Sequence, residues 1–213
     1  MTRIKWNSVG ERFYETGIDQ AVLYVDGINP APWNGLISVS EIPVGGESIG
    51  YHFNGVKYLD ASNNQEFKAV IKSYYTPDAF YECDGLKQLT YYGLFATQQT
   101  RKIFNLCYKT RIGNDVDSTN HGYKLHLLYN ALASPVTREY KSLSNNGNSS
   151  IQSWSITATP PQLTGFKPTP YRVIDSRNHS QSVMTSIENI LYGTSSLTPR
   201  FPTPTELSTL LGV

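Results

Sequence analysis

Two alternating apolar runs, 103–112 and 123–129, joined by the polar stretch 113–122, constrain this chain more than any other feature. In the first run Phe104, Leu106, Tyr108, Thr110 and Ile112 fall on one side and Asn105, Cys107, Lys109 and Arg111 on the other, because successive strand side chains point to opposite faces. In the second, Tyr123, Leu125, Leu127 and Tyr129 lie opposite Lys124, His126 and Leu128. The pattern predicts a long antiparallel hairpin with one buried face and with Phe104, Leu106, Leu125 and Leu127 in the core. A chain of 213 residues is long enough to bury such a core without disulfide staples.

The rest of the chain repeats the two-residue period until residue 176. Residues 10–17 are polar and turn-like, and they lead to a strand at Ala21–Asp26. A loop rich in Pro and Gly follows, with Trp33 as its anchor. Strands are expected at 36–42, 66–74, 151–159 and 171–175. Between the first two of these, Asn54-Gly55 separates short aromatic strands, a strong signal for a two-residue hairpin turn. Thr76-Pro77-Asp78, with Gly85 as a stop, predicts one short helix. The Asn-rich tract 144–150 has the composition of a disordered segment. Beyond Ser176 the period becomes helical: Val183, Ile187, Ile190 and Leu191 line one side of a helix that Gly193 ends. Thr203, Pro204 and Glu206 form a capping-box signature before Leu207, Leu210 and Leu211. The expected organisation is a mainly β antiparallel sandwich or barrel over 1–175 with one short internal helix. A helical arm over 176–213 packs on it or on a neighbouring subunit.

Charge excludes some partners. Only 16% of residues are charged, 18 basic against 17 acidic, so no global field advertises nucleic acid or an anionic membrane. Fifteen tyrosines suit strands and protein contacts. Cys83 and Cys107 lack zinc or disulfide spacing and read as reduced, half-buried thiols. No signal peptide and no apolar run of membrane-spanning length is seen, which predicts a soluble product.

The richest polar cluster is Asn114, Asp115, Asp117, Asn120 and His121. Oxygen ligands at this spacing suggest Ca²⁺, yet the central Gly and closing Glu of a calcium loop are missing, so Asx side chains bonded to their own backbone are expected. His52, His121, His126 and His179 lack metal spacing. Asp175 and His179 have serines nearby but no nucleophile elbow. Gly45-Gly46 matches no phosphate or dinucleotide loop. Arg101, Lys102, Phe104, Tyr108, Lys109 and Arg111 interleave charge with aromatics as a nucleic-acid platform does, and also as a strand with one solvated or interface face does, which is the preferred reading. No catalytic, cofactor-binding or metal residue is assigned, no cofactor is expected, and the chain is not expected to be an enzyme.

The succession GERFYETGIDQAVLY (10–24), PWNGLISVSE (32–41), GVKYL (55–59), CDG (83–85), TRIGND (110–115), HGYKLHLLYNALASP (121–135), TPP (159–161), VIDSR (173–177) and LYGT…PRFPTPTEL (191–207) resembles the major or minor tail proteins of long-tailed actinobacterial bacteriophages. The resemblance covers most of the chain and fades at 144–150. It implies a tail-tube building block: six copies close into a ring, and rings stack into a conduit through which DNA passes transiently. The implied partners are other copies of the chain and other tail proteins, with no membrane, and the implied location is the virion tail, assembled in the host cytoplasm. The alternatives are a ring or adaptor protein at the distal tail end, a host-surface carbohydrate-binding module, or an enzyme with an unrecognised site. A tube subunit must join sheets across subunit boundaries, which long hairpins do by strand addition.

Overall fold

The computed structural model describes residues 3–62, 65–90, 93–140, 142, 150–163 and 165–212. Apart from Ser150, the Asn-rich tract lies outside the described residues. The chain is mainly β. Its strands are β1 (Tyr14–Val25), β2 (Ala31–Pro32), β3 (Leu36–Glu41), β4 (Val44–Gly45), β5 (Ser48–Phe53), β6 (Val56–Ser62), β7 (Gln65–Glu66), β8 (Lys68–Ser73), β9 (Lys87–Gln88), β10 (Phe95–Ala96), β11 (Phe104–Asn114), β12 (Ser118–Pro135), β13 (Gln152–Ala158) and β14 (Tyr171–Asp175). Two helices follow, α1 (Gln181–Tyr192) and α2 (Pro204–Leu211).

The predicted long hairpin is β11–β12, and it is the spine of an antiparallel sheet in the order β2–β1–β11–β12–β13–β8–β3. Along its other edge β12 pairs first with β14, through Lys124–Leu128, and then with β13, through Ala131–Pro135. The polar connection is shorter than expected, because the strands run to Asn114 and restart at Ser118. β1 is longer than expected. It begins at Tyr14, within the stretch read as turn-like, since Glu15 and Asp19 are matched across the ladder by Lys124 and Arg111, and bulges near Gly17 (φ 66°) and Gln20 (φ 48°) absorb the irregular spacing. The sheet curls over its core, but β1 and β3 do not hydrogen-bond to each other among the described residues, so the barrel is not closed.

The expectation of one buried face is corrected by the packing: both faces of the spine are covered. On one side Leu106, Tyr108 and Leu128 join an aromatic core in which Phe80 lies 4.7 Å from Trp33, 5.1 Å from Trp154 and 5.3 Å from Phe104 (ring centroids). On the other, Cys107, Leu125, Leu127 and Tyr129 meet Met184, Ile187 and Leu191 of α1 and Leu207 of α2. Leu125 and Leu127 are therefore buried as predicted, but against the helices and not beside Leu106. The register explains this: Leu106 pairs with Leu128 and Cys107 with Leu127. A bulge at Asn130 (φ 48°) then re-phases β12, so that Ala131 and Ala133 return to the aromatic side.

The helical signals are borne out. Ser180 caps α1, and Gly193 (φ 77°) follows its last residue. The capping box of α2 is complete, with the Thr203 side chain accepting from Glu206 N and the Glu206 carboxylate accepting from Thr203 N. The internal helix at 76–85 shrinks to one 3₁₀ turn, Asp78–Phe80. Thr76 is not its cap, because its hydroxyl bonds Gln152 across the sheet instead.

Candidate assembly surface

β3 and β8, β4 and β7, and β5 and β6 are three consecutive rungs of one interrupted hairpin. The partners are Leu36↔Ser73, Glu41↔Ala69, Val44↔Glu66, Ser48↔Ser62 and Phe53↔Val56, nested without a break in order. Only β3 and β8 belong to the main sheet; the rest is a ribbon ending at Asn54 (φ 50°) and Gly55 (φ 77°), the left-handed pair that a two-residue turn requires. At about 3.3 Å per residue, the stretch from Val44 to Asn54 reaches up to about 35 Å from the sheet.

Strand alternation divides the ribbon into two faces. Ile49, Tyr51 and Phe53 share one with Val56, Leu59 and Ala61, their cross-strand partners, while Ser48, His52, Lys57, Asp60 and Ser62 take the other. The polar face is stitched by Lys57 to Asp60 at 2.7 Å. Among the described residues nothing covers the apolar face: Phe53 is 68% exposed and Val56 69%, and Ile49, Tyr51 and Leu59 are each close to half exposed. A contiguous apolar face on a projecting two-stranded ribbon is unusual for an isolated chain and marks an interaction site. Sequence reasoning found the turn and the aromatic strands but not this surface. The alternation was readable, whereas exposure depends on nothing folding over it.

The polar groups singled out from sequence are engaged elsewhere. Asn114 Oδ1 accepts from Val116 N at 3.1 Å, its Nδ2 donates to Gly10 O at 3.1 Å, and Asp115 Oδ1 accepts from Gly10 N at 3.0 Å. Asp117 meets His121 Nδ1 at 3.0 Å, so this cluster ties the N-terminal segment to the β11–β12 turn. Asp175 is clamped by Arg177. The basic residues of β11 and its approach are dispersed: Arg101 donates to Ala133 O, Lys102 pairs with Glu82, Lys109 with Glu188 of α1, and Arg111 with Asp19. Phe104 and Tyr108 face the aromatic core, which leaves no shared basic and aromatic platform.

His126, itself buried, is the centre of a polar chain that crosses four strands. Its ring stacks on Tyr108 with centroids 4.6 Å apart and planes 4° apart. Thr110 donates its hydroxyl proton to Glu15 (2.6 Å), so His126 Nε2, 2.8 Å from Thr110 Oγ1, is the donor to Thr110. Nδ1 of the neutral ring then accepts from Tyr171, whose hydroxyl oxygen lies 3.0 Å from that of Tyr108. Burial pushes the imidazole pKa down to about 4. At one end of this polar chain Glu15 is exposed, and at the other Tyr171 lines a surface cleft with Glu41, Phe67 and Lys68.

No protein-family model matches the chain, and no curated protein matches it in sequence. Among solved structures, a chain of the six-fold-symmetrised anti-feeding prophage baseplate aligns at a TM-score of 0.43 with 11% identity, covering 80% of this chain and 97% of that one. A chain of the anti-feeding prophage cap that terminates the tube aligns at 0.42 with 13% identity over 74% and 89%. A chain of the sheath–tube complex of an extracellular contractile injection system, in its extended state, aligns at 0.39 with 16% identity over 74% and 88%. Each is a partial likeness of backbone shape.

Proposed function

We propose that this chain is a structural subunit of a phage tail or tail-like assembly, in which six copies close into a ring and rings stack into a tube that DNA traverses. Residues 1–175 form the building block, and 176–213 serve as the arm that covers its second face. The observation that carries this reading is the apolar face of the β5–β6 ribbon, a long hairpin that projects from the sheet and is left exposed among the described residues. Docking of that face is the contact through which copies assemble. The motif succession described above supports the tail assignment. The near balance of 18 basic and 17 acidic residues suits a conduit that must release its DNA, because strong phosphate ligands would retain it.

Negative-stain microscopy of the purified protein, with sedimentation across concentration, tests the proposal. Rings or short tubes are expected. Monomers that persist at high concentration and bind glycans would replace this reading with a carbohydrate-binding module, and single rings that never stack would move it to the distal end of the tail.

A further inference from the structure

Two Asn-Gly pairs stand among the described residues, Asn34-Gly35 and Asn54-Gly55, and both are exposed. Asparagine is among the thermolabile side chains, and a following glycine puts no side chain in the way when its backbone nitrogen approaches the carboxamide. The sequence makes the two pairs equivalent, but their surroundings differ. Asn34-Gly35 is clamped from both sides. Trp33 N donates to Ala21 O at 2.8 Å and Trp33 Nε1 to Ser73 Oγ at 3.0 Å, while Gly35 O accepts from Ser73 Oγ and from Tyr74 N, both at 2.9 Å. A Cβ on Gly35 (φ 85°) would lie 3.3 Å from Tyr75 N, so the peptide has a close wall beside it. Asn54-Gly55, in contrast, ends a ribbon that has left the main sheet. Nothing lies within 4 Å of where a Cβ on Gly55 would stand. Below the turn only Phe53↔Val56 and His52↔Lys57 close the ladder before the register slips between Tyr51 and His52. A two-stranded ribbon is marginal on its own, so its end opens far more readily than a loop pinned to the sheet.

We propose that Asn54 is a site of spontaneous conversion to aspartate and isoaspartate in the native protein, and that the clamp protects Asn34. The Gly55 backbone nitrogen gives up its proton to hydroxide and bonds to Asn54 Cγ. The Cγ–Nδ2 bond breaks and Nδ2 leaves as ammonia, taking a proton from water, which closes a succinimide ring. Water then adds to a ring carbonyl and the bond from that carbonyl to the Gly55 nitrogen breaks. The net change is water consumed and ammonia released, with no oxidant and no enzyme. Opening at Cγ gives aspartate, and opening at the main-chain carbonyl gives isoaspartate, whose backbone runs through Cγ. Aspartate keeps the turn, since Asp-Gly suits the left-handed pair as Asn-Gly does, but it places a charge at the tip. Isoaspartate lengthens the main chain by a methylene, and the two-residue turn at Asn54 (φ 50°) and Gly55 (φ 77°) cannot hold. A free copy therefore loses the tip of its ribbon with time.

Peptide mass mapping of the full-length protein, held for days in mildly alkaline buffer, tests this, because each conversion raises the mass of its peptide by the difference between a carboxyl and a carboxamide. A protease that cuts before aspartate but not before isoaspartate separates the two products. The same protein in urea is the reference, since both pairs are then free, and the two sites should convert there at similar rates. In the native protein Asn54 should convert about tenfold or more faster than Asn34, because the two hydrogen bonds at Gly35 O must break before that peptide can turn. Circular dichroism at the start and end of the incubation verifies that the sheet persists. Equal rates in the native protein, a faster reaction at Asn34, or a tip that reacts only in urea overturns the proposal. None of these outcomes touches the tail reading, which stands or falls on assembly.

Discussion

Acidification should destabilise this protein through His126, and the magnitude follows from where that ring sits. The imidazole is buried between Tyr108 and Tyr171, with its Nδ1 already committed to accepting a proton. Protonation turns Nδ1 into a donor facing a hydroxyl and places a charge in a desolvated site, where Glu15 helps and Lys124 opposes. The group binds its proton at about pH 4 in the folded protein against 6.5 for the ordinary side chain. The unfolded chain thus binds more protons throughout that interval, and stability must fall as pH falls from 6.5 toward 4, then level off. At 1.36 kcal/mol per pKa unit the full loss is about 3 kcal/mol, of which about 2 kcal/mol has gone by pH 5. Urea unfolding at intervals between pH 7.5 and 4.5, for wild type and His126→Gln, isolates this contribution. Glutamine does not titrate, and the carboxylates held below their usual range away from the ring, Asp19, Asp117, Asp175 and Glu206, contribute equally to both proteins, so the difference reports His126 together with its coupling to Glu15. The wild type should lose about 2 kcal/mol more than the variant between pH 7 and pH 5. Parallel curves would refute the reasoning, because they would mean that the ring is solvated or free to reorient when charged.

Truncating Leu125 to Ala should cost about 2–5 kcal/mol in urea unfolding, since it is wholly buried between the sheet and the C-terminal helices; a cost under about 0.5 kcal/mol would mean that the helices are not docked there. Thr203→Ala removes one half of the α2 capping box and should cost about 1 kcal/mol, with a larger loss of helix signal than of strand signal in circular dichroism.

The sequence by itself determined the local chemistry. Alternation placed the strands, Asn54-Gly55 set the ribbon turn, and Thr203 with Glu206 set the start of α2, because each depends on neighbours within a few residues. The start of β1 was missed for the same reason. Glu15 and Asp19 look like turn residues until Lys124 and Arg111, about a hundred residues away, neutralise them on the next strands. Similarly, Thr76 looks like a helix cap until Gln152 competes for its hydroxyl. Which of the two faces of β12 meets which core was decided by tertiary structure, because one bulge at Asn130 re-phases the side chains beyond it and the helices supply a second apolar layer that periodicity cannot assign to a face. The candidate surface divides in the same way. The order of Ile49, Tyr51, Phe53, Val56 and Leu59 writes an apolar face into the sequence, but a buried strand face and a docking face have the same alternation. Only the path of the whole chain, which covers β11 and β12 on both sides and leaves β5 and β6 bare, separates the two.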